Sequence, residues 1–263
     1  MRFLSTDTKH LELLLSAIEV GDPQVETEAS FSQDGKPGSQ EQPPAPEARE
    51  AVDKWEWEQR YITLLWLSQL LLAPFDLVTI SSGDKTITCP EIPGLVWPPN
   101  TPGVTLRVTP LAIRYLSSSG KERDAAKILL VRIAMRKDMQ ELGILHALVQ
   151  WAISCFNPSL TAESKSTYHY IGVLSFLAGI LNASITTSDM DPYIVTIFQI
   201  LQGDWYKGVM EIVYSSVVAR KTVITVLRNI CVIVSSFKRF CYPVSFGTDC
   251  SIRSFVVPIQ RPR

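Results

Sequence analysis

The sequence predicts an all-α fold, a solenoid of helix pairs of the HEAT or armadillo kind, and three observations support that expectation. Apolar residues recur at three- and four-residue spacing along most of the chain from residue 109 to 236. Helix pairs begin near Lys121, Ala162 and Asp204, a rhythm of about 40 residues, the period of arrays in which each pair buries its face against its neighbours. A segment within 51–73 is apolar on nearly every face, as expected of a helix held between other helices.

Taken in order, the first expected element is a helix from Arg2 to Glu19 with an apolar stripe of Leu4, Leu11, Leu14, Leu15 and Ile18, stopped by Gly21, Asp22 and Pro23. Residues 21–50 are acidic and rich in Pro, Gly, Ser and Gln. With so little to bury they cannot offset an ordering cost of about 1–2 kcal/mol per residue, so a disordered loop is expected. The helix over 51–73 begins with Trp55 and Trp57 among charges, continues through Ile62, Leu64, Leu65, Trp66, Leu67, Leu70 and Leu71, and ends before Pro74. Residues 81–107 form an irregular insert, because Pro90, Pro93, Pro98, Pro99 and Pro102 exclude a regular helix there.

Beyond the insert, Thr109 and Pro110 look like an N-cap and first helical residue, opening a short helix to Ser117. Helices are then expected over 121–136, 139–156, 162–183 and 193–201, with two more from Trp205 to Ser236. The repeats thus span 51–236, and 237–263 is expected to be an irregular tail.

Composition narrows the function classes. A formal net charge of −1 and a pI near 6.3 provide no global field for nucleic acid or acidic membranes. Five widely spaced cysteines without a C-x-x-C pair do not form a disulfide framework, and no secretory leader is visible at Met1, so a reducing cytoplasmic setting is expected. Tyr61–Ala73 and Ile171–Leu181 are shorter than the roughly 20 apolar residues of a span. Glu211, Arg220, Lys221 and Arg228 interrupt the longer stretch 209–236, so no transmembrane helix is expected.

No constellation for catalysis or metal binding emerges. His10, His146 and His169 have no ligand type at helical spacing beside them, and packing roles are expected for all three. Cys155 suits a helix end, while Cys231, Cys241 and Cys250 lack the local spacing of a zinc site. Ser82–Thr86 lacks the first glycine and following helix of a phosphate-binding loop. Asp189 and Asp191 fit a helix start better than an acid/base pair. Gly172 and Gly179, seven apart, suit close packing between helices. The expectation is therefore a scaffold with no catalytic, metal or cofactor residues, and not an enzyme.

Two blocks carry a resemblance. Lys54–Leu77, KWEWEQRYITLLWLSQLLLAPFDL, resembles the tubulin-folding cofactor D family, whose members carry a similar W-E/E-x-R-Y…LLWLS…PFDL helix. Gly120–Met139, GKERDAAKILLVRIAMRKDM, is similar to the family's G-K-x-R-x-A-A-x-L-L-x-x-L-x-x-R-P-D-M stretch, with Lys137 where that pattern has proline. Ile171–Leu181 fits the next helix more loosely, and the likeness fades after Val232. The resemblance implies an internal piece of a much longer superhelical array that captures β-tubulin, works with the other tubulin-folding cofactors and binds a small Arf-like GTPase. It also implies GTPase stimulation by the cofactor assembly, for which no arginine finger stands out here. A generic HEAT adaptor in trafficking or nuclear transport is the alternative, and the LLWLS…PFDL block argues against it.

Overall fold

A computed structural model describes residues 9–20, 55–80, 89–157, 166–185, 187–202 and 207–241, with backbone alone at Lys9, Ile80, 207–209 and 236–241. All regular structure among these residues is helical: α1 (Lys9–Val20), α2 (Trp57–Leu70), α3 (Leu77–Ile80), α4 (Gly103–Leu116), α5 (Glu122–Met135), α6 (Lys137–Glu141), α7 (Ile144–Ser154), α8 (Thr167–Ala183), α9 (Asp191–Gln202), α10 (Lys207–Ser215) and α11 (Val217–Cys241).

The architecture is an α-solenoid. Helices α2, α5, α8 and α11 pack in a row, each against the next. Beside it, α1 lies on α2 and α4, α4 packs on α5 and α8, and α10 packs on α8 and α11. Burial follows from that order. Leu64 and Leu67 of α2, Leu129 and Ile133 of α5, and Leu174 and Phe176 of α8 are fully enclosed. Each such side chain contributes about 1.5–3 kcal/mol by leaving water. Trp151 of α7 meets Phe176 edge to face, with centroids 6.3 Å apart.

Two glycines set how closely the row approaches. A Cβ on Gly172 would lie 2.1 Å from the Leu116 carbonyl oxygen, so α8 touches backbone at the end of α4. A Cβ on Gly179 would meet the Val131 Cγ2 methyl of α5 at 2.7 Å. Both glycines therefore serve helix packing. At the far end the buried Asn229 of α11 donates to the Ala178 carbonyl at 2.9 Å, tying α11 to α8.

Several expectations need correction. The irregular insert does not reach residue 107, because α4 begins at Gly103 with Pro102 as its N-cap. Thr109 and Pro110 lie within this helix, whose buried face includes Val104, Leu106, Val108, Leu111, Ala112 and Leu116. Pro110 removes a donor to the preceding turn and crowds the Leu106 carbonyl, at a cost of about 3 kcal/mol, and burial of that face outweighs the loss. The helix expected over 139–156 is broken in two. Gly143 adopts φ 84°, the left-handed conformation that separates α6 from α7.

Helix α2 starts at Trp57 because the Glu56 N–H donates to Gln59 Oε1 at 2.8 Å, fixing an N-terminus there. It is also less enclosed than its composition suggests: Ile62 is exposed and Trp66 half-buried. Helix α8 opens with a Ser166 cap that accepts from the His169 N–H at 3.3 Å. The irregular tail does not begin at 237, since α11 continues through Cys241. The loop 21–50, Leu4, residues 81–88 of the expected insert, residues 162–165 and the tail beyond 241 lie outside the described residues.

Candidate functional site: a clamped corner between α2 and α3

The residues weighed for chemistry are dispersed. His10 packs its ring against Trp66, with centroids 6.2 Å apart. His146 Nδ1 meets the Tyr193 hydroxyl between α7 and α9. His169 Nδ1 lies 3.0 Å from Ser117 Oγ, between α8 and the end of α4. Cys155 is buried beside Tyr170 and Cys231 is exposed. Asp191 opens α9, where burial first and then Asp189 push its carboxyl above the ordinary carboxylate range. Among the described residues no group of three or more His, Cys, Asp or Glu could hold a metal ion. Ser82–Thr86, the side chain of Cys241, and Cys250 lie outside them.

The most organised polar feature is a corner that joins the two sequence blocks. Leu71 and Ala73 close α2, Pro74 prevents its continuation, and the chain turns through Phe75 and Asp76 into α3. A turn of this kind leaves carbonyls without helical partners. Arg136, the residue between α5 and α6, supplies donors to them. Its Nη1 donates to the Leu71 carbonyl and to Ala73 O at 3.0 Å, and its Nη2 to Phe75 O at 2.7 Å.

Arg136 is itself held by Asp138 in a two-pronged pair, Nε to Oδ1 and Nη2 to Oδ2, both at 2.9 Å. Asp138 then accepts from the N–H of Leu77 at 3.0 Å, at the start of α3, and from the N–H of Met139 at 3.1 Å. The two side chains are only 12% and 13% exposed. Burial acts to raise the Asp138 carboxyl, but the bonds from Arg136 and from the Leu77 and Met139 amides outweigh it and hold it below its ordinary range.

The corner presents an apolar surface. Leu72 is 59% exposed, Phe75 61% and Val78 55%, while the adjacent Leu71 and Leu77 are buried. Arg136 and Asp138 fix the backbone at Leu71, Ala73, Phe75 and Leu77, among which Leu72 and Phe75 lie and beside which Val78 follows. Behind the corner, Arg132 Nη1 donates to Ser68 Oγ at 2.8 Å and adds a second link between α5 and α2.

The sequence reading missed Arg136 and Asp138 as a pair. The signal was present as Arg-x-Asp in MRKDM, a spacing that lets arginine grip a carboxylate across a helix break. Lys137 occupies the first position of α6, where a proline's missing N–H costs little. Lysine therefore replaces proline there without disturbing the clamp.

The row of packed helix pairs defines an α-solenoid of the armadillo kind. The family model of tubulin-specific chaperone D-like ARM repeats matches residues 1–156. That is more than half of the chain, which therefore belongs to this family. No solved structure matches the chain. The match ends at Phe156, so α8 to α11 extend the array past the matched region. No described helix is long and apolar enough to cross a membrane.

Proposed function

We propose that this chain is a non-catalytic cytoplasmic scaffold that holds β-tubulin during assembly of the tubulin heterodimer, and that the α2–α3 corner is part of the capture surface. The observation behind this reading is the coincidence of the family match with a rigid, exposed apolar corner at Leu72, Phe75 and Val78. Exposed apolar side chains grouped together mark protein-interaction surfaces, and a fixed backbone lowers the ordering cost of covering them. Other tubulin-folding cofactors and a small Arf-like GTPase are the further partners of this proposal. Stimulation of GTP hydrolysis belongs in it to the cofactor assembly.

The test is retention of purified β-tubulin by the immobilised chain. The intact chain is expected to retain it, and L72S/F75S/V78S to lose at least about tenfold in affinity while keeping its helical circular dichroism. Leu67→Asp, at a fully buried position, serves as the unfolded control. Equal retention by the triple variant would remove the corner from the capture surface, and no retention by the folded intact chain would remove the function.

A further inference from the structure

Charge is distributed unevenly along this chain. Residues 1–206 carry 16 Lys and Arg against 24 Asp and Glu, a net −8, whereas residues 207–263 carry nine against two, a net +7. The basic excess is densest on α11, whose 25 residues include Arg220, Lys221, Arg228, Lys238 and Arg239 and no carboxylate. Ala219, Val223, Val226, Ile230 and Ile233 face inward and are buried. Arg220, Lys221 and Arg228 are exposed, together with Val217, Val218 and Ile224. Lys221 and Arg228 are seven residues apart, which places them on one face two turns, or about 10 Å, apart.

The neighbouring helices do not neutralise these cations. Helix α8 contains no charged residue, α9 carries only the partly buried Asp191, and α10 carries Lys207 and Glu211. No ion pair among the described residues involves Arg220, Lys221 or Arg228. An anionic partner would therefore meet a field that no ion pair among the described residues cancels.

We infer that the outer face of α11 is a docking surface for an acidic peptide segment of a partner protein, one in which carboxylates alternate with small apolar residues. Charge complementarity selects the acidic class. The β-branched residues among the cations select a peptide over a lipid surface, because a membrane-seated face needs bulky aromatic or leucine side chains, whereas the large apolar side chains exposed on the described part of α11 are Val217, Val218, Ile224 and Val232. The inference rests on α11 alone and does not depend on the tubulin reading.

The experiment titrates the full chain into a fluorescein-labelled synthetic peptide repeating Glu-Val-Glu-Glu, followed by anisotropy. Binding is expected to weaken at least about tenfold in R220E/K221E/R228E, and likewise on raising salt to about 0.3 M. A smaller loss is expected in R220Q/K221Q/R228Q, which guards against misfolding of the reversal variant. K121E/K137E, at exposed lysines remote in sequence, should bind as the parent does. Unchanged affinity in both α11 variants would overturn the inference. So would binding to phosphatidylserine vesicles in preference to the peptide, or self-association of the chain through this face without peptide binding.

Discussion

The α2–α3 corner and the α11 edge both expose aliphatic side chains, but they are built on opposite plans. At the corner, charge is consumed internally: Arg136 and Asp138 satisfy each other and the backbone of the turn, leaving an apolar surface on a rigid base. Along α11, apolar packing and the Asn229 bond to Ala178 hold the helix, and Arg220, Lys221 and Arg228 are exposed with no ion pair among the described residues. One solenoid thus offers two kinds of surface. Buried ion pairs fix shape where the backbone must leave the helix, and uncompensated charge appears where a regular helix needs no such help.

The sharpest way to break this contrast is Arg136→Ala. It would leave the Asp138 carboxylate buried without its cation and free the carbonyls of Leu71, Ala73 and Phe75. A loss of about 3–5 kcal/mol in urea unfolding is expected. Arg228→Ala on α11 should change stability by no more than about 0.5 kcal/mol. Similar losses for the two would show that the corner is not held as described.

Gly172→Ala comes next, at about 2–3 kcal/mol or more, because its methyl would meet the rigid backbone of Leu116. Gly179→Ala should cost less, since the atom it meets is a side-chain methyl of Val131 and alanine favours the helix. Thermal melts of the two variants would order them.

A third test uses pH. The folded pKa of Asp138 is depressed, so its stabilisation is complete above the unfolded value near 3.8 and is lost as pH falls below it. Asp138→Asn is expected to be less stable than the parent at neutral pH, with the gap narrowing below about pH 4. A gap that stays constant through that range would mean the carboxylate is not what stabilises the corner.

The smallest expected effect is at Glu19. Arg107 of α4 pairs with Glu19 and Glu12 of α1, the Glu19 contact at 2.8 Å. Both carboxylates are substantially exposed, so Glu19→Gln should cost about 0.2–1 kcal/mol, and less at high salt.

Much of the helical order was legible in the sequence because burial writes itself as periodicity. Leu11, Leu15 and Ile18 of α1 are buried as their spacing indicates, and α5 lies within one residue of its expected bounds. What escaped were features that periodicity does not carry. Pro110 suggested a helix start, yet the buried face of α4 on both sides of it overrode that local preference. Gly143 looked like an ordinary helical residue until its positive φ placed a break there. The clamp escaped because its parts are more than 60 residues apart in sequence, and only the packing of α2 on α5 brings them together.

Hydrogen exchange of the intact chain with and without saturating β-tubulin tests the α2–α3 corner as a capture surface. Slower exchange confined mainly to residues 71–80, with α5 unchanged, is the result the clamped-corner account predicts. Protection elsewhere with no change over 71–80 would contradict it.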